Sequence, residues 1–536
     1  MARYVLVNRL SGKRTEGSRR ASQGAVDEAL ARLANVRIIS AHRPDRDDHR
    51  HVIVFEADPR QVEARRRELS RDIIIEPVMR RRVRALPPIV DLETAENSPP
   101  LRVTKAGQTY RVAVKGGEEP LPGCLVYFFV RKSGGPLRVA LGKTDGRGRV
   151  RQPLPPGYRV QALRIIPDAG FWSVLAEAPP SGGTITCMPL PRADAAGRGW
   201  WHRMMAGAAG GRKRGQGIRV GVVDSGCGPH RNLAHVTRIG AFIDGKRLPA
   251  RDARDEHGHG THTTGIIGAR PHRRGDYAGI APDCELFHAR VSLDTPDIVR
   301  AIDALSRDYR CDIINISLGE SDPSEVEAEA IQRALERGSL CICAAGNNGR
   351  RGAIDFPAAL PACVAVSAVG HFAWAPPGSW AHGHWQKRRS RQGRHGLFFS
   401  ATSSYGKGVT CTAPGVGIIS TIPDRERRKG RYMEMSGTSM ATPAAAGILA
   451  LILAASPAYR RVPRGPKRAR LARKLLQRYC RSVALHRMYQ GRGLPALGRV
   501  ATPRPAASSG ARRRKRGAPG RSRRSASPSG RARRRT

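Results

Sequence analysis

The sequence predicts an α/β fold built on a parallel sheet with helices on both faces, preceded by a smaller α+β unit and a small β-sandwich. Three patterns carry the prediction. Between Gly217 and about Val500 the runs IRVGVVD, CDIINISL, LCICAAGN and CVAVSAVG are almost continuously apolar, as parallel strands covered on both faces must be. Residues 1–85 instead alternate short apolar strands with helical segments, and residues 101–190 hold short strands broken by Gly- and Pro-rich turns.

The amino-terminal unit reads as strand Tyr4–Val7, helix Gln23–Leu33, strand Val36–Ser40, strand His51–Phe55, helix Pro59–Leu69 and strand Ile73–Ile75. That order, βαββαβ, is the ferredoxin-like split unit. A Pro- and charge-rich linker covers 86–100. The sandwich at 101–190 is marked by the turns KGGEEPLPG, KTDGRGR and LPPGYR. Its run PLPGCLVYFF followed by GKTDGRGRVRQPLPPGY resembles the prealbumin-like modules appended to many peptidases, which implies a packing or spacer role. The largest unit spans 200–500. In it a helix begins at Thr295 and Pro296, with Ile298, Ile302 and Leu305 on one face, and a second runs from about Pro323 to Arg337 and stops at Gly338.

Composition excludes several classes. At 536 residues and 40% hydrophobic content the chain can bury large cores, so disorder throughout is excluded. The ten cysteines form no CxxC pair and no disulfide-framework spacing, and most sit inside apolar strands. Buried free thiols in a reducing compartment, the cytoplasm, are expected, with non-standard export left open. The start, MARYVLVNRL, has no secretory apolar core. The longest apolar stretch, Ile448–Ala455, belongs to a core helix, so no transmembrane segment is expected and the protein reads as soluble. The net charge of +50 points to polyanions. It is densest in the tail 501–536, which has the composition of a disordered arm able to hold nucleic acid nonspecifically.

In parallel sheets active sites gather at the carboxyl ends of strands. Directly after IRVGVV comes Asp224, in DSG. The segment DEHGHGTHTTGIIGA starts a helix near His259, and GTSMATPAAAGILALILAA places Ser439 at the head of a long apolar helix that has Pro443 near its start. Serine is a poor nucleophile until a base takes its proton, and the base needs an acid to fix its tautomer. Taken singly, DSG also fits a turn, HGHGTH a metal cluster and GTS a helix cap. His257 and His262 are the competing histidines. A zinc reading lacks a closing Cys or Glu at metal spacing, so no metal ligands are assigned.

Together, VVDSG, HGHGTHTTG and SGTSMATP, in the order Asp, His, Ser, resemble the three signature segments of the subtilisin family of serine endopeptidases (peptidase family S8). The resemblance implies a subtilisin-like sheet and a triad of Asp224, His259 and Ser439. It assigns Asn347, after LCICAAG, to the oxyanion hole together with the Ser439 backbone N–H. Ser317, Leu318 and Gly319, and Ala344, Ala345 and Gly346, become the backbone segments that bind substrate as an added strand. It also casts the amino-terminal unit as an intramolecular inhibitory prodomain. Protein or peptide substrates follow, and no organic cofactor. The alternative is a silent subtilisin-fold protein that binds nucleic acid or acidic surfaces through its tail; the intact motif set argues against it.

Aligning FPAALP with the family's aromatic-Pro segment sets Asp355 at the base of the first specificity pocket, where a carboxylate would favour Lys or Arg. The family's usual His after Pro443 is Ala444 here. Many relatives build a strong calcium site from the loop after the catalytic His helix and an acid after the DSG strand. Here the loop is ARPHRRGDYAG and the acid's place holds Asn232, so that site is expected to be absent, with weaker calcium sites left open. An insertion, Trp374–Phe398, is expected to be a mobile surface loop near the substrate side.

Overall fold

A computed structural model of the chain describes residues 1–9, 16–33, 35–42, 51–66, 69, 72–83, 101, 103, 107–206, 214–349, 354–385, 388–424 and 431–498. The expected linker at 86–100 and the basic tail at 501–536 lie outside these residues.

The central sheet runs in the order Lys246–Leu248, Thr237–Ile243, Glu285–Val291, Arg219–Asp224, Ile313–Ile316, Leu340–Ala344, Val364–His371 and Leu397–Phe399, and Cys411–Pro414 also pairs with Val364–His371. The inner strands are parallel, whereas both edges, Lys246–Leu248 and Leu397–Phe399, pair antiparallel. The sheet expected to be parallel is therefore mixed. Alternation of side chains along a strand splits it between two cores. Val220, Val222, Ile313 and Ile342 face the helices His259–Gly268 and Thr438–Ala455. Val223, Ile314, Cys341 and Cys343 face the helices Thr295–Arg307 and Glu325–Glu336. Both faces are covered, which is why the strands read as unbroken apolar runs. Thr438–Ala455 has the length and hydropathy of a membrane span but is buried along almost its whole length, as the core helix of this layered fold.

The first unit is an antiparallel sheet in the order Arg37–His42, Val52–Ala57, Ala2–Asn8, Ile73–Pro77. Its first helix spans Glu16–Ala31, starting seven residues before the expected Gln23, and its second spans Pro59–Arg66. One face, with Leu6, Ile53 and Phe55, packs under these helices through Val26, Ala29 and Val62. The other, with Val5, Val7, Val52 and Ile74, joins the core over Ile298, Ile302 and Val326. Glu76 seals the contact: its carboxylate accepts from Ser324 Oγ and from Glu325 N at 3.0 Å, at the N-terminus of Glu325–Glu336, where a negative charge meets orphan N–H groups.

Residues 108–187 form two facing sheets around Val112, Val126, Phe128, Leu154, Leu163 and Ile165. The insertion Trp374–Phe398 departs from expectation. Trp380 is 1% exposed and packs on Phe129, with the Arg164 guanidinium 4.0 Å from its ring centroid. Backbone bonds from Trp380 N to Ser173 O (2.8 Å) and from Leu175 N to Gly378 O (3.1 Å) continue the contact. Arg391 is buried over the rings of Phe399, Tyr405 and Tyr489. The described part of the insertion is thus the seat of the sandwich. Its length suggested a mobile loop, but an aromatic cage accommodates the Arg391 guanidinium.

Candidate active site

Strand Arg219–Asp224 delivers Asp224, fully buried, at its carboxyl end. Its Oδ1 meets His259 Nδ1 at 2.7 Å and accepts from Ser225 N at 2.7 Å, and its Oδ2 accepts from Thr263 Oγ1 at 3.1 Å. Burial pushes this carboxyl up, but the His259 ring and the Ser225 N–H outweigh it and hold it below its ordinary value. His259 is the first residue of its helix. Gly260 follows it because a Cβ there would lie 2.2 Å from Gly226 O, the backbone of the Asp224 loop.

Asp255, which the sequence reading did not single out, pins this turn. It accepts from Ser225 Oγ (3.0 Å), His257 N (3.0 Å), Gly258 N (2.8 Å), Thr261 N (2.8 Å) and Thr261 Oγ1 (2.6 Å). The available signal was an acid four residues before a helix-opening histidine. Of the competing histidines, His262 turns Nε2 to the carbonyls of Ile418 and Met433, both at 3.1 Å, and burial pulls its pKa down to about 3. His257 lends Asp255 its backbone N–H.

Ser439 is the second residue of Thr438–Ala455. Its Oγ donates to Ser317 O at 3.0 Å, and Ser317 Oγ donates to Ser439 O at 2.9 Å. His259 Nε2 is buried and has no hydrogen-bond partner among the described residues. The Asn347 Oδ1 accepts from Thr438 N (2.9 Å) and Thr438 Oγ1 (3.0 Å). With the oxygen committed to the turn that carries Ser439, the amide's donor end is its Nδ2.

A family model described as "Subtilase family" matches residues 215–479. Subtilisin Savinase of Lederbergia lenta is 30% identical over 253 residues, 46% of this chain and 80% of that protein. The chain belongs to the subtilase family. Two further relatives are each 32% identical over 46% of this chain: the Minor extracellular protease Epr of Bacillus subtilis, matched over 33% of its length, and a Thermostable alkaline protease of Halalkalibacterium halodurans, matched over 59%. The chain thus spans about a third and about three fifths of these two relatives, and the units before residue 200 fall outside the family match.

This subtilase carries an extended segment of its own beside Leu318–Gly319. Arg82–Val83 pairs antiparallel with Leu318–Gly319, Val83 opposite Leu318 and Arg82 opposite Gly319. On the other side Arg81 N donates to Leu293 O at 2.7 Å, and Arg80 bridges to Asp294. The second edge of this groove is therefore Leu293–Asp294. In the segment Ala344–Gly346 two carbonyls are engaged elsewhere: Ala345 O accepts from Asp355 N at 2.9 Å, and Gly346 O from Ser404 N at 2.8 Å. That segment forms a wall. Asp355 is 1% exposed and lies between the wall and the strand edge, since a Cβ on Gly346 (φ +107°) would come 2.5 Å from its Cγ and one on Gly319 would come 3.1 Å from its Cβ. Asn348 Nδ2 donates to Asp355 Oδ1 at 3.0 Å.

Proposed function

We propose that the chain is a serine endopeptidase acting through an acyl-enzyme on Ser439. The observation that carries this reading is the buried 2.7 Å pairing of His259 Nδ1 with Asp224, in a chain that opens its central helix on Ser439. A carboxylate on Nδ1 fixes the ring proton there and leaves Nε2 as the base. Ser439 Oγ must swing from Ser317 O toward Nε2, pass its proton there and bond to the substrate carbonyl carbon. Asn347 Nδ2 and the Ser439 N–H receive the negative oxygen, the kind of contribution that makes an oxyanion hole the largest single term in acyl transfer. Collapse breaks the C–N bond, and the leaving amine takes the proton from His259. Water then attacks the ester by the same route and releases Ser439.

Substrates lie as a strand against Ser317–Gly319. The wall Ala344–Gly346 and Asp355 bound the pocket for the residue whose carbonyl is attacked, and the Asp355 carboxylate favours Lys or Arg there. The amino-terminal unit acts as an intramolecular inhibitor, because Arg82–Val83 takes the strand edge a substrate needs. The sandwich serves as a docked spacer.

A strongly held calcium ion does not fit the residues at the family's usual site. The loop acid Asp276 is ion-paired with Arg231 at 3.0 Å, and the Asn232 Nδ2 donates to Tyr432 Oη at 2.8 Å. A guanidinium thus stands where a dication would be attracted. The ten cysteines are all unpaired and nine are buried, which supports a reducing compartment.

A fluorophosphonate probe tests the activity. Labelling of the wild type and none of Ser439→Ala is expected. Absence of labelling in both, even after limited proteolysis has released the amino-terminal unit, would overturn the reading.

A further inference from the structure

The helix Pro466–Tyr479 and the turn before it carry two kinds of basic side chain. Those turned toward the domain are bonded. Arg464 donates from Nη1 to Arg310 O at 2.6 Å and from Nη2 to Cys311 O at 2.9 Å. Arg468 Nη2 donates to Asp312 Oδ1 at 3.0 Å, and Arg473 Nη2 to Cys363 O. Between these arginines the helix buries Ala469, Ala472 and Leu476.

Lys467, Arg470, Lys474 and Arg478 are exposed instead, and among the described residues none of the four meets a carboxylate. At 100° per residue they fall within an arc of about 80° and rise over roughly 16 Å, so they form one straight row. Arg460 and Arg461, on the helix Pro457–Arg461 that packs against this one, and Arg481, just after it, are exposed too. No Asp or Glu occurs between 435 and 498 to neutralise them. Like charges four residues apart weaken a helix, and Arg470, Lys474 and Arg478 are spaced in just that way. No bond inside the fold offsets the repulsion.

A groove of about 480 Å³ opens at the end of the row, lined by Ile452, Pro457, Leu475, Arg478, Tyr479 and Arg481. It joins apolar walls and an aromatic residue to two guanidinium groups. A row of cations leading to such a groove suits a flexible polyanion with flat rings, whose phosphates follow the row while a base enters the groove. A lipid surface fits less well. A helix that lies in a membrane needs an exposed apolar face, whereas the apolar face of this helix is buried in the domain and no large hydrophobic residue among those described from 457 to 498 is exposed.

We infer that Lys467, Arg470, Lys474 and Arg478, with the groove at Tyr479 and Arg481, form a binding face for single-stranded nucleic acid on the folded domain itself. Ile452 and Ala455 place this face at the far end of Thr438–Ala455 from Ser439, roughly 20 Å away along the helix. A strand held there leaves the cleft open. The inference is independent of the peptidase reading.

The test measures fluorescence anisotropy of a labelled single-stranded DNA of about 20 nucleotides against the full chain over a range of salt. Three proteins are compared: the wild type; a row variant with Lys467→Glu, Arg470→Glu, Lys474→Glu and Arg478→Glu; and a control with the same net charge, Arg131→Glu, Lys143→Glu, Arg151→Glu and Arg159→Glu, at exposed positions of the sandwich. Each phosphate neutralised on a single strand contributes about 0.7 to the slope of log affinity against log salt, so the row variant should lose about 3 from that slope. It should bind about a hundredfold more weakly at about 0.1 M salt, while the control stays within about threefold of the wild type. Fluorophosphonate labelling of Ser439 should be the same in all three. If the row variant fails to fold, the same four positions changed to Gln give the same comparison. Equal losses in the row variant and the control would overturn the inference in favour of net charge alone. Tighter binding to the matching duplex, or to vesicles rich in phosphatidylglycerol, than to the single strand would overturn the assignment of the partner.

Discussion

Ser317 Oγ donates to the backbone carbonyl of Ser439 at 2.9 Å, and Pro443 explains why. A helical carbonyl ordinarily accepts from the N–H four residues on, but the residue four past Ser439 is proline, which has none. Ser317, directly after the strand Ile313–Ile316, supplies the missing donor, while Thr442 Oγ1 closes on Thr438 O at 2.8 Å. The proline opens the helix and the serine side chain pins it.

Ser317→Ala is therefore expected to strip the donor from a buried carbonyl, at a cost of about 1–3 kcal/mol. It should also lower kcat with little change in KM, because the substrate contacts of this strand run through backbone. Calorimetry and steady-state kinetics on the same preparation check both parts. Unchanged stability would mean that another group satisfies the Ser439 carbonyl.

The triad candidates were legible in the sequence because each sits at a place fixed by its own neighbours. Asp224 ends an apolar strand, and His259 and Ser439 open helices rich in small residues. The oxyanion candidate Asn347 follows a strand in the same way. What stayed hidden depends on pieces far apart in sequence meeting in space. Arg81 and Glu327 are 246 residues apart, and no local pattern announces their pairing. Leu293 forms the second groove edge through its backbone carbonyl, so its side-chain type carries no signal. The insertion misled for a related reason: its length read as a mobile loop, and only the fold brings the Phe129 ring to Trp380 and the rings of Phe399, Tyr405 and Tyr489 to Arg391.

Stability is expected to fall steadily on acidification from about pH 6.5 to 4. Burial lowers the pKa of His262 to about 3 and those of His202 and His288 to about 4, against 6.5 for the free side chain. For each, the folded value lies below the unfolded one, so the unfolded chain takes the proton first as pH drops. The stabilising contribution is whole above about pH 6.5 and is lost as pH falls toward the folded value, by up to about 1.4 kcal/mol per pH unit per group. Asp224, also lowered, adds the same sign at still lower pH, below the ordinary carboxylate range. Calorimetric Tm values at pH 7.5, 6.5, 5.5 and 4.5 measure the slope. The buried Asp297 carboxyl, pushed up to about 6 by burial, opposes this slope in the same window, so a Tm that rises on acidification would contradict the burial of these rings as neutral groups.

Asp355 should set the preference for the residue at the cut bond. Peptides with Arg or Lys there are expected to exceed those with Phe or Leu in kcat/KM by about tenfold or more, since a carboxylate walled off from water pairs strongly with a cation. Asp355→Gly should remove the charge, open the space beside Gly346 and reverse the order. An equal or inverted preference in the wild type would sink the assignment.

Asp255 offers the sharpest separation between holding the site and taking part in the chemistry. It touches neither Asp224 nor Ser439 in the described bonds, yet it gathers four donors from the turn before His259 and its first helical residues, together with Ser225 Oγ. Those N–H groups are the ones a helix start leaves unsatisfied, and Ser225 is the residue whose N–H also bonds Asp224. Asp255→Ala should therefore loosen both Asp224 and His259, lowering kcat about tenfold to a hundredfold by misplacement while KM for short peptides stays within about twofold. Tm should fall by several degrees, as expected when buried donors lose their acceptor. Asp255→Asn keeps one acceptor oxygen and should recover most of the stability. A purely structural role predicts that kcat recovers with Tm. A role in positioning His259 predicts that kcat lags behind, because a single amide oxygen cannot satisfy donors from both Ser225 and Thr261 at once.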